Sequence, residues 1–399
     1  MIQEIKNIYH LLVAVFANII FFFPSRKLIV IGVTGTDGKT TTANIISHIL
    51  NSSGKKTAVV SSLGFSIDGK KEDIGFHVTT PSPVKLQHLI FKARRNKAKY
   101  LVLEVTSHAI NQHRIFGIPF KIGVLTNITY EHLDYHKTFD NYFKTKANLL
   151  DNSKTAVVNR DDGTYTFMVD YERKKDPKNW ITYGLSDSAD INPNNFPFKT
   201  KLIGDFNKYN CLSAITVCKV LGVGSEEIRK AIESYDNPVG RADIYYDREF
   251  KIIVDFAHTP NAFEQILKGV KPISKGKLIH VFGSAGKRDE SKRPMMGEIS
   301  SQFSDIIILT AEDPRSESVS KISSEIESGI KNKKSQIIKN PNRREAIQTA
   351  INMAKKDDLI LLTGKAHEKS ININGKELPW NEYEEIDLAL KSRFNGKNK

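Results

Sequence analysis

The sequence predicts an α/β fold with mostly parallel sheets, because the same pattern recurs along it. Short apolar runs such as RKLIVIGVTG (26–35) and AKYLVLEVTSH (98–108) have the character of buried strands. Segments of helical spacing such as TTANIISHILNSSG (41–54) separate these runs. A polar or glycine-containing turn follows each run, at the strand end where doubly wound sheets bind ligands. Alternating strands and helices indicate parallel sheets covered by helices on both faces.

The same reasoning gives the other elements before residue 222. Each is identified by a buried apolar run or by apolar residues at helical spacing. In chain order they are a strand with a turn at 55–70, a helix at 82–96, a strand at 121–128, a helix at 138–150, a strand at 154–162 and a helix at 204–222.

A second α/β domain is predicted after residue 239. Pro238 and Gly240 interrupt the pattern in NPVGRADIYY, which is typical of a domain boundary. Strand-and-turn units follow at 250–258, 277–286, 304–315 and 357–368. The predicted parts are an apolar N-terminal helix at 1–26, a central domain at 27–239 and a Rossmann-like C-terminal domain at 240–399.

The composition limits the classes of partner. The 399 residues include 59 Lys and Arg against 45 Asp and Glu, a formal net charge of +14. The excess is scattered lysine without interleaved arginine and aromatic residues, which argues against nucleic acid as a partner. Cys211 and Cys218 lie in an apolar helical pattern, where we expect them to pack in a core. Such thiols favour a reducing compartment, so we expect a cytoplasmic protein.

An apolar segment near the N-terminus has two interpretations. Residues 8–23 (IYHLLVAVFANIIFFF) are flanked by Lys6, Arg26 and Lys27. The segment is shorter than the roughly 20 apolar residues that a spanning helix needs, and no signal-peptide cleavage site follows it. It is either an interfacial helix, which would bring the protein to the inner face of the membrane, or a helix docked on the protein itself.

The stretch IGVTGTDGKTTTANII (31–46) has the form of a phosphate-binding loop between a strand and a helix. Gly35 and Gly38 let backbone N–H groups approach an anion, and Lys39 supplies a positive charge. Thr40 is the residue type that gives its hydroxyl to Mg²⁺ in P-loops, although the first glycine of the Walker pattern is missing. We therefore predict a P-loop ATPase-type central domain.

Two further segments offer ligands for a metal ion. Glu104 ends a predicted buried strand, where a carboxylate is costly unless it meets a cation or hydrogen-bond donors. A magnesium ligand and an ordinary hydrogen-bonding group are the two interpretations. The segment after the next strand carries Asn127, His132, Asp134 and His136. Three interpretations are open for these residues: they hold a metal ion, they orient a phosphate, or they are solvated.

Taken together in chain order, the motifs of this sequence resemble the Mur ligase family. The resemblance runs from about Ile29 to about Asp387 and is closest to members that add the third residue of the peptidoglycan stem peptide. The family's phosphate loop also lacks the first Walker glycine. The resemblance rests on TGTDGKTTT, LEVTSHAINQHR, TNITYEHLDYH, YFKTKANLL, GDFNKYN, GRADIYY, VDFAHTPNA, VFGSAGKRDESKRPMMG and LLTGKAHE.

The resemblance implies a role for each matching residue. Those implied to bind ATP are Gly35, Thr36, Asp37, Gly38, Lys39, Thr40, Thr41, Asn207, Arg241 and Asp255. Those implied to be catalytic are Lys39, Glu104, His132 and Lys146, with Thr40 and Glu104 on one Mg²⁺ and His132 and a carbamylated Lys146 on a second. Those implied to hold a UDP-muramoyl-peptide are Thr79, Thr80, Pro81, Thr106, Gln112 and Arg114. Those implied to surround the incoming amino acid are Arg288, Asp313, Arg315, Gly364 and Glu368.

The activity implied by the resemblance is ATP-dependent amide-bond formation through an acyl phosphate. Closure of the C-terminal domain would exclude water from this intermediate. We expect a monomer that uses a nucleotide- or lipid-linked muramoyl-peptide and an amino acid. Two alternatives remain open: a related ligase that extends folate or polyglutamate chains, and a P-loop NTPase that is not a ligase.

The sequence departs from the family pattern in two places. The phosphate loop begins within the first forty residues, so we expect the family's N-terminal domain, which grips uridine diphosphate, to be absent. The family's diaminopimelate signature D-N-P-R is replaced by E-D-P-R at 312–315. Arg315 keeps a bidentate partner for a distal carboxylate, which favours meso-diaminopimelate over lysine. Asp313 adds a negative charge near that position.

Overall fold

The computed structural model describes residues 2–75, 79–129, 131, 133–172, 179–331 and 334–395. The chain divides into two compact units. Unit 1 consists of Met1–Lys201 and Phe206–Asp236, and unit 2 consists of Leu202–Asp205 and Asn237–Lys399. Both units carry a mostly parallel sheet with helices, so the predicted α/β fold class is confirmed.

The sheet of unit 1 has eight strands within the described residues. They are β1 Ile29–Thr34, β2 Thr57–Ser61, β3 Gly64–Ile67, β4 Lys70–Glu72, β5 Tyr100–Glu104, β6 Phe120–Leu125, β7 Ser153–Asn159 and β8 Asn179–Tyr183. Their order is β4-β3-β2-β5-β1-β6-β7-β8. β1 lies in the interior and pairs in parallel with β5 and β6, which brings the C-terminal ends of all three strands to one edge.

The region predicted as one strand and a turn folds differently. Residues 57–72 form three strands, of which β3 pairs antiparallel with both β2 and β4. Asp68 and Gly69 have positive φ angles of 52° and 73°, which allow the tight reversal between β3 and β4. These two strands are short and partly polar, so their periodicity in the sequence is weak.

The first 236 residues also contain the helices that cover this sheet. They are α1 Ile2–Ile20, α2 Lys39–Ser52, α3 Pro83–Arg95, α4 Ser107–Asn111, α5 Leu133–His136, α6 Phe139–Asp151, α7 Tyr165–Glu172, α8 Asp205–Val220 and α9 Ser225–Ser234. Cys211 and Cys218 are buried in α8, as expected for core residues.

The N-terminal segment forms a helix that packs on unit 1. Ala14, Ala17 and Asn18 of α1 are buried. The Asn18 amide Nδ2 donates to the carbonyl oxygens of Ala14 and Phe116, at 2.8 and 2.9 Å. Among the helices that the structure describes, none is long and apolar enough to cross a membrane.

Unit 2 is built on a second sheet. Its strands, as far as the chain is described, are β9 Asp243–Asp247, β10 Lys251–Asp255, β11 Leu278–Phe282, β12 Ile306–Leu309, β13 Gln336–Lys339 and β14 Leu359–Thr363, with a separate hairpin of β15 Ser370–Ile373 and β16 Lys376–Pro379. The order is β13-β12-β11-β14-β10-β9, with all neighbours parallel except β10 and β9. The helices are α10 Pro260–Val270, α11 Lys292–Phe303, α12 Val319–Glu327, α13 Arg343–Met353 and α14 Glu382–Asn395.

A buried ion pair fixes the strand ends of unit 2. The guanidinium of Arg343, at the start of α13, donates to the Glu382 carboxylate at 2.9 Å. It also donates to the carbonyl oxygens of Ala311 and Thr363, at 3.1 and 2.9 Å. Because these carbonyls follow β12 and end β14, one side chain holds together the two loops that carry the predicted amino-acid site.

Candidate active site

The phosphate loop lies between β1 and α2 and requires its glycines. Gly35 and Gly38 have φ angles of +148° and +80°, a region that other residues rarely adopt. A Cβ at Gly35 would lie 1.8 Å from Thr126 Oγ1, and one at Gly38 would lie 2.4 Å from Asn210 Oδ1. The backbone therefore runs closer to its neighbours than any side chain would allow. Gly38 is the N-cap of α2, which opens that helix N-terminus to an anion.

The loop is held from behind by the residues that follow β6. The Asp37 backbone N–H donates to Asn127 Oδ1 at 2.9 Å, and Thr126 Oγ1 donates to the Asp37 carbonyl oxygen at 2.6 Å. The Thr129 N–H donates to Thr36 Oγ1 at 3.0 Å. Asn127, considered from the sequence as a metal or phosphate ligand, thus shapes the loop through the backbone of Asp37.

Glu104 lies beside the start of α2. Its carboxylate is buried at the end of β5 and accepts a hydrogen bond from Thr40 Oγ1, at 3.0 Å to Oε2. It also accepts the backbone N–H of Ser62 at 2.9 Å. The structure therefore brings together Thr40 and Glu104, the two residues that the sequence assigned to one Mg²⁺. Ser62 was not identified from the sequence, although it directly follows strand β2.

Lys146 reaches the same loop from α6. Its side chain is fully buried, and its Nζ donates to the Gly35 carbonyl oxygen at 2.6 Å and lies 4.6 Å from the centre of the Tyr142 ring. Burial, reinforced by the positive charge of Lys39, holds the pKa of Lys146 well below its usual value. The carboxylates of Glu131, Asp37 and Glu104 act in the opposite direction.

The residues implied to hold a muramoyl-peptide form a cluster attached to Glu104. Thr80 Oγ1 donates to the Glu104 carbonyl oxygen at 2.9 Å and accepts the Thr106 N–H at 3.2 Å. Arg114 donates to the Thr80 carbonyl oxygen at 2.8 Å and, through Nε and Nη2, to Gln112 Oε1 at 2.9 and 2.7 Å. Burial lowers the pKa of the Arg114 guanidinium. Four residues dispersed in the sequence thus meet at one edge of the sheet.

Other predicted residues of unit 1 have structural partners. Asn210 Nδ2 donates to Asn207 Oδ1 at 3.0 Å, and Thr42 donates to Asn210 Oδ1 at 3.2 Å, so Asn207 is linked to α2 through Asn210. His136 is buried and bonded to Ser107 Oγ at 3.0 Å. Pro81 is buried beside the half-buried Thr79, and Thr41 is buried in α2. His132 and the side chain of Asp134 lie outside the described residues.

In unit 2, Arg241 precedes β9 and Asp255 ends β10, at the same end of this antiparallel pair. The Asp255 carboxylate accepts the backbone N–H groups of Ala242 and Ala257, both at 2.6 Å. The Arg241 guanidinium lies 4.7 Å from the centre of the Phe256 ring. The carboxylate therefore links the backbone next to Arg241 with the backbone that follows β10.

The residues implied to surround the amino acid form a charged cluster. Asp313 Oδ1 accepts a hydrogen bond from Lys365 Nζ at 2.9 Å and from the Asn372 N–H at 2.8 Å. Lys365 is completely buried and also bonds the Glu368 carboxylate at 2.6 Å. The extra negative charge expected at Asp313 is thus compensated by Lys365, which stands in the LLTGKAHE motif but was not singled out from the sequence.

The loop around Arg315 completes this cluster. Arg315 has a φ of +53°, and its guanidinium donates to the Gly286 carbonyl oxygen at 3.1 Å. Gly364, with a φ of +100°, leaves space beside Glu312, since a Cβ there would lie 3.1 Å from the carboxyl carbon of Glu312. Burial raises the pKa of Glu312. Arg288 is exposed two residues after Gly286.

The described residues contain no group of three His, Cys, Asp or Glu side chains arranged to hold a metal ion. The Thr40–Glu104 pair nevertheless fits Mg²⁺, because this ion prefers oxygen ligands and is commonly bound by one or two carboxylates together with substrate phosphates. Three carboxylates close to Lys146 further favour a cation at this edge of the sheet.

Comparison with known proteins gives consistent matches over most of the chain. The sequence profile of the Mur ligase middle domain matches residues 33–218, and that of the Mur ligase glutamate ligase domain matches residues 240–366. A UDP-N-acetylmuramoyl-L-alanyl-D-glutamate–2,6-diaminopimelate ligase of Clostridium acetobutylicum is 38% identical over 392 residues, covering 93% of this chain and 80% of the relative.

Solved structures give the same match. A UDP-N-acetylmuramoyl-L-alanyl-D-glutamate–2,6-diaminopimelate ligase superimposes with a TM-score of 0.63 and 28% identity, covering 92% of this chain and 79% of the other. A folylpolyglutamate synthase of Mycobacterium tuberculosis gives a TM-score of 0.70 at 17% identity, covering 90% and 96% of the two chains. At that identity, the second likeness is one of fold.

Substitution of Gly38 tests whether the close approach of the loop is required. Gly38→Ala should lower the free energy of unfolding of unit 1 by about 3 kcal/mol or more. The alanine would have to adopt a left-handed backbone conformation, and its Cβ would also overlap the Asn210 side chain. Gly54→Ala is the matched control, because Gly54 has a φ of +70° and no atom near its Cβ position. It should cost roughly 1–2 kcal/mol. Urea unfolding, followed by Trp180 fluorescence in a Trp380→Phe background, measures both changes, and equal losses would contradict the account.

Proposed function

The chain belongs to the Mur ligase family, and we propose that it joins meso-diaminopimelate to the D-glutamyl carboxylate of a UDP-linked muramoyl-dipeptide. It is an ATP-dependent ligase of peptidoglycan precursor synthesis that forms ADP. The name of the Clostridium relative supports diaminopimelate and a UDP carrier, and it favours that carrier over the lipid-linked alternative. The central observation is that Glu104 connects the phosphate loop to the cluster proposed for the muramoyl-peptide.

We propose that the phosphate loop activates the acceptor carboxylate. A carboxylate is a poor electrophile, so its oxygen attacks the γ-phosphorus of ATP, and the bond to the bridging oxygen breaks to release ADP. Lys39 and the N-terminal N–H groups of α2 offset the negative charge of the transferring phosphoryl group. Thr40 and Glu104 would hold Mg²⁺, which would supply further charge neutralisation between the phosphates and the carboxylate.

Arg114 and Thr80 are proposed to position the acceptor. Arg114 is oriented by its two bonds to Gln112, so its guanidinium plane is fixed relative to Thr80. A fixed guanidinium is suited to a carboxylate or phosphate of the substrate. The bond from Thr80 to the Glu104 carbonyl oxygen then sets the distance from this group to the phosphate loop.

The amine that completes the reaction is proposed to come from an amino acid held in unit 2. Its nitrogen attacks the acyl phosphate, and inorganic phosphate leaves from the tetrahedral intermediate. Arg315 offers a guanidinium for the distal carboxylate of diaminopimelate. Since Lys365 neutralises Asp313, the negative charge that would favour the side-chain ammonium of lysine is reduced. Glu368 is paired with the same lysine.

We propose that Arg241 and Asp255 contribute to nucleotide binding from unit 2, as the resemblance implies. We also propose that the protein acts as a monomer. In this proposal the predicted central domain, 27–239, binds the ATP phosphates and the acceptor, and the predicted C-terminal domain, 240–399, binds the amino acid. A cytoplasmic location, where ATP is available, is part of the same proposal.

Lys146 is proposed to carry a carbamate. The neutral amine attacks the carbon of CO₂, one carbon–oxygen π bond moves to oxygen, and one amine proton leaves to water. The carbamate nitrogen keeps one N–H, so the bond to the Gly35 carbonyl oxygen persists. A bare ammonium does not ligate a cation, whereas the carbamate oxygens do. Burial lowers the pKa of Lys146, which is the direction that this reaction needs.

Labelling with ¹³C-bicarbonate tests the carbamate directly. We expect a protein-bound carbamate signal in the ¹³C NMR spectrum that grows as the pH rises through the lowered pKa of Lys146, where the amine loses its proton. Lys146→Gln should abolish the signal. Lys144→Gln is the control, since Lys144 is exposed on the same helix. A signal that survives in the Lys146 variant would refute the assignment.

The ligase function is tested by phosphate release with defined substrates. Release should require the UDP-muramoyl-dipeptide and an amino acid together, with diaminopimelate preferred to lysine. Release without any amino acid would identify a P-loop NTPase, and release only with folates would identify the other alternative. Arg315→Lys keeps the charge but loses the bidentate geometry, so it should reduce kcat/KM for diaminopimelate by roughly tenfold or more.

A matched substitution separates this effect from backbone strain. Lys287 lies on the neighbouring loop and has the same positive φ of 53° as Arg315. Lys287→Ala should leave the preference for diaminopimelate unchanged, whereas Arg315→Ala should abolish it. An unchanged preference in both variants would show that Arg315 does not select between diaminopimelate and lysine.

A further inference from the structure

Helix α1 presents an apolar face to solvent that the ligase reaction does not use. Its large hydrophobic side chains recur at helical spacing and are exposed. They are Ile8, Tyr9, Leu12, Val15, Phe16, Ile19 and Ile20, followed by Phe22 just after the helix. The face from Ile8 to Ile20 extends over about 18 Å at the rise of an α-helix. Contiguous exposed apolar surface of this kind marks an interaction site.

The orientation of this face is fixed by the opposite side of the helix. Ala14, Ala17 and Asn18 are buried against unit 1, and Asn18 is bonded to the Phe116 carbonyl oxygen. A Cβ at Gly117, which has a φ of +78°, would lie 2.9 Å from the Asn18 side chain. Small residues thus let α1 approach closely and leave every bulky side chain of the stripe outside. The apolar face therefore points away from unit 1, because the opposite side of the helix is packed and hydrogen-bonded.

The charges around the face are of one sign. Lys6 lies at one end of the stripe, and Arg26 and Lys27 lie at the other, all exposed. The sequence contains no Asp or Glu from residue 5 to residue 36. If two copies paired through α1, these basic ends would meet one another in either relative direction, and like charges would oppose the contact. An anionic surface complements both ends.

We propose that α1 docks the protein on an anionic lipid surface, with its apolar stripe inserted at the level of the headgroups and Lys6, Arg26 and Lys27 contacting acidic headgroups. An amphipathic helix with an apolar face and basic residues at its ends has the chemistry of an interfacial helix. In this proposal the attachment is peripheral, through one face of the helix.

The docked orientation brings the acceptor cluster, formed by Thr80, Thr106, Gln112 and Arg114, close to the lipid. Arg114 is two residues from Phe116, whose carbonyl is held by Asn18 of α1. Burial lowers the pKa of His10 on the same helix, and the positive charges of Arg114 and then Lys6 lower it further, so the Arg114 guanidinium lies near α1. The muramoyl-peptide would therefore be bound beside the membrane. This consequence rests on the proposed function, whereas the docking itself does not.

Vesicle co-sedimentation of the full chain tests the docking. The chain should pellet with vesicles of phosphatidylglycerol and phosphatidylcholine, and less with phosphatidylcholine alone. The variant Leu12→Gln/Phe16→Gln/Ile19→Gln should bind roughly tenfold or more weakly, because the apolar contact is lost. Lys6→Gln/Lys27→Gln should lose the preference for phosphatidylglycerol. Absence of pelleting with either vesicle, or full binding by the α1 variant, would overturn the proposal.

A matched variant controls for general hydrophobicity. Leu12, Phe16 and Ile19 are 63%, 63% and 55% exposed, and Phe167, Met295 and Leu388 are 58%, 52% and 55% exposed. Phe167→Gln/Met295→Gln/Leu388→Gln therefore removes a similar apolar surface from elsewhere, and it should bind vesicles like the unmodified chain. Equal losses in the two triple variants would overturn the assignment to α1.

Two further measurements distinguish whether lipid or a second copy of the protein covers the apolar face of α1. In a Trp180→Phe/Trp380→Phe background, Leu12→Trp should show a blue-shifted emission on addition of anionic vesicles, whereas Phe167→Trp should not. Sedimentation equilibrium without lipid should give a monomer, and a dimer that dissociates in the α1 variant would overturn the proposal in favour of a second copy. Phosphate release with soluble substrates should be unchanged in the α1 variant, so docking and ligase activity are tested separately.

Discussion

The arrangement of unit 1 depends on the buried carboxylate of Glu104. Its side chain accepts hydrogen bonds from Thr40 on α2 and from Ser62 after β2, and its carbonyl oxygen accepts one from Thr80. A carboxylate without such donors would be costly at this depth. One residue thus connects the phosphate loop with the acceptor cluster. We propose that this connection sets the distance over which the phosphoryl group is transferred.

Unit 2 uses charge compensation in a similar way. Lys365 is buried between Asp313 and Glu368, so a segment rich in carboxylates keeps a modest net charge. The buried pair of Arg343 and Glu382 lies beneath the same loops and determines where they begin. Buried ion pairs add little net stability, but removal of one partner is strongly destabilising. Both networks therefore serve to fix loop positions.

The sequence was sufficient for the features that are local. The phosphate loop is one contiguous stretch between a strand and a helix, and Glu104 was recognised because it ends an apolar run. Contacts between distant positions could not be read in this way. Asn18 and Phe116 are 98 residues apart, and Lys365 lies 52 residues from Asp313. The hairpin of β3 and β4 was missed because its strands are too short for a clear alternation.

Metal placement beside Glu104 tests the central claim most directly. Crystals grown with Mn²⁺ and a non-hydrolysable ATP analogue would show the ion by its anomalous scattering. The account predicts Mn²⁺ coordinated by Thr40 Oγ1 and the Glu104 carboxylate, with the analogue's phosphates over the N-terminus of α2. An ion bound elsewhere, with Glu104 still bonded to Thr40 and Ser62 alone, would contradict it.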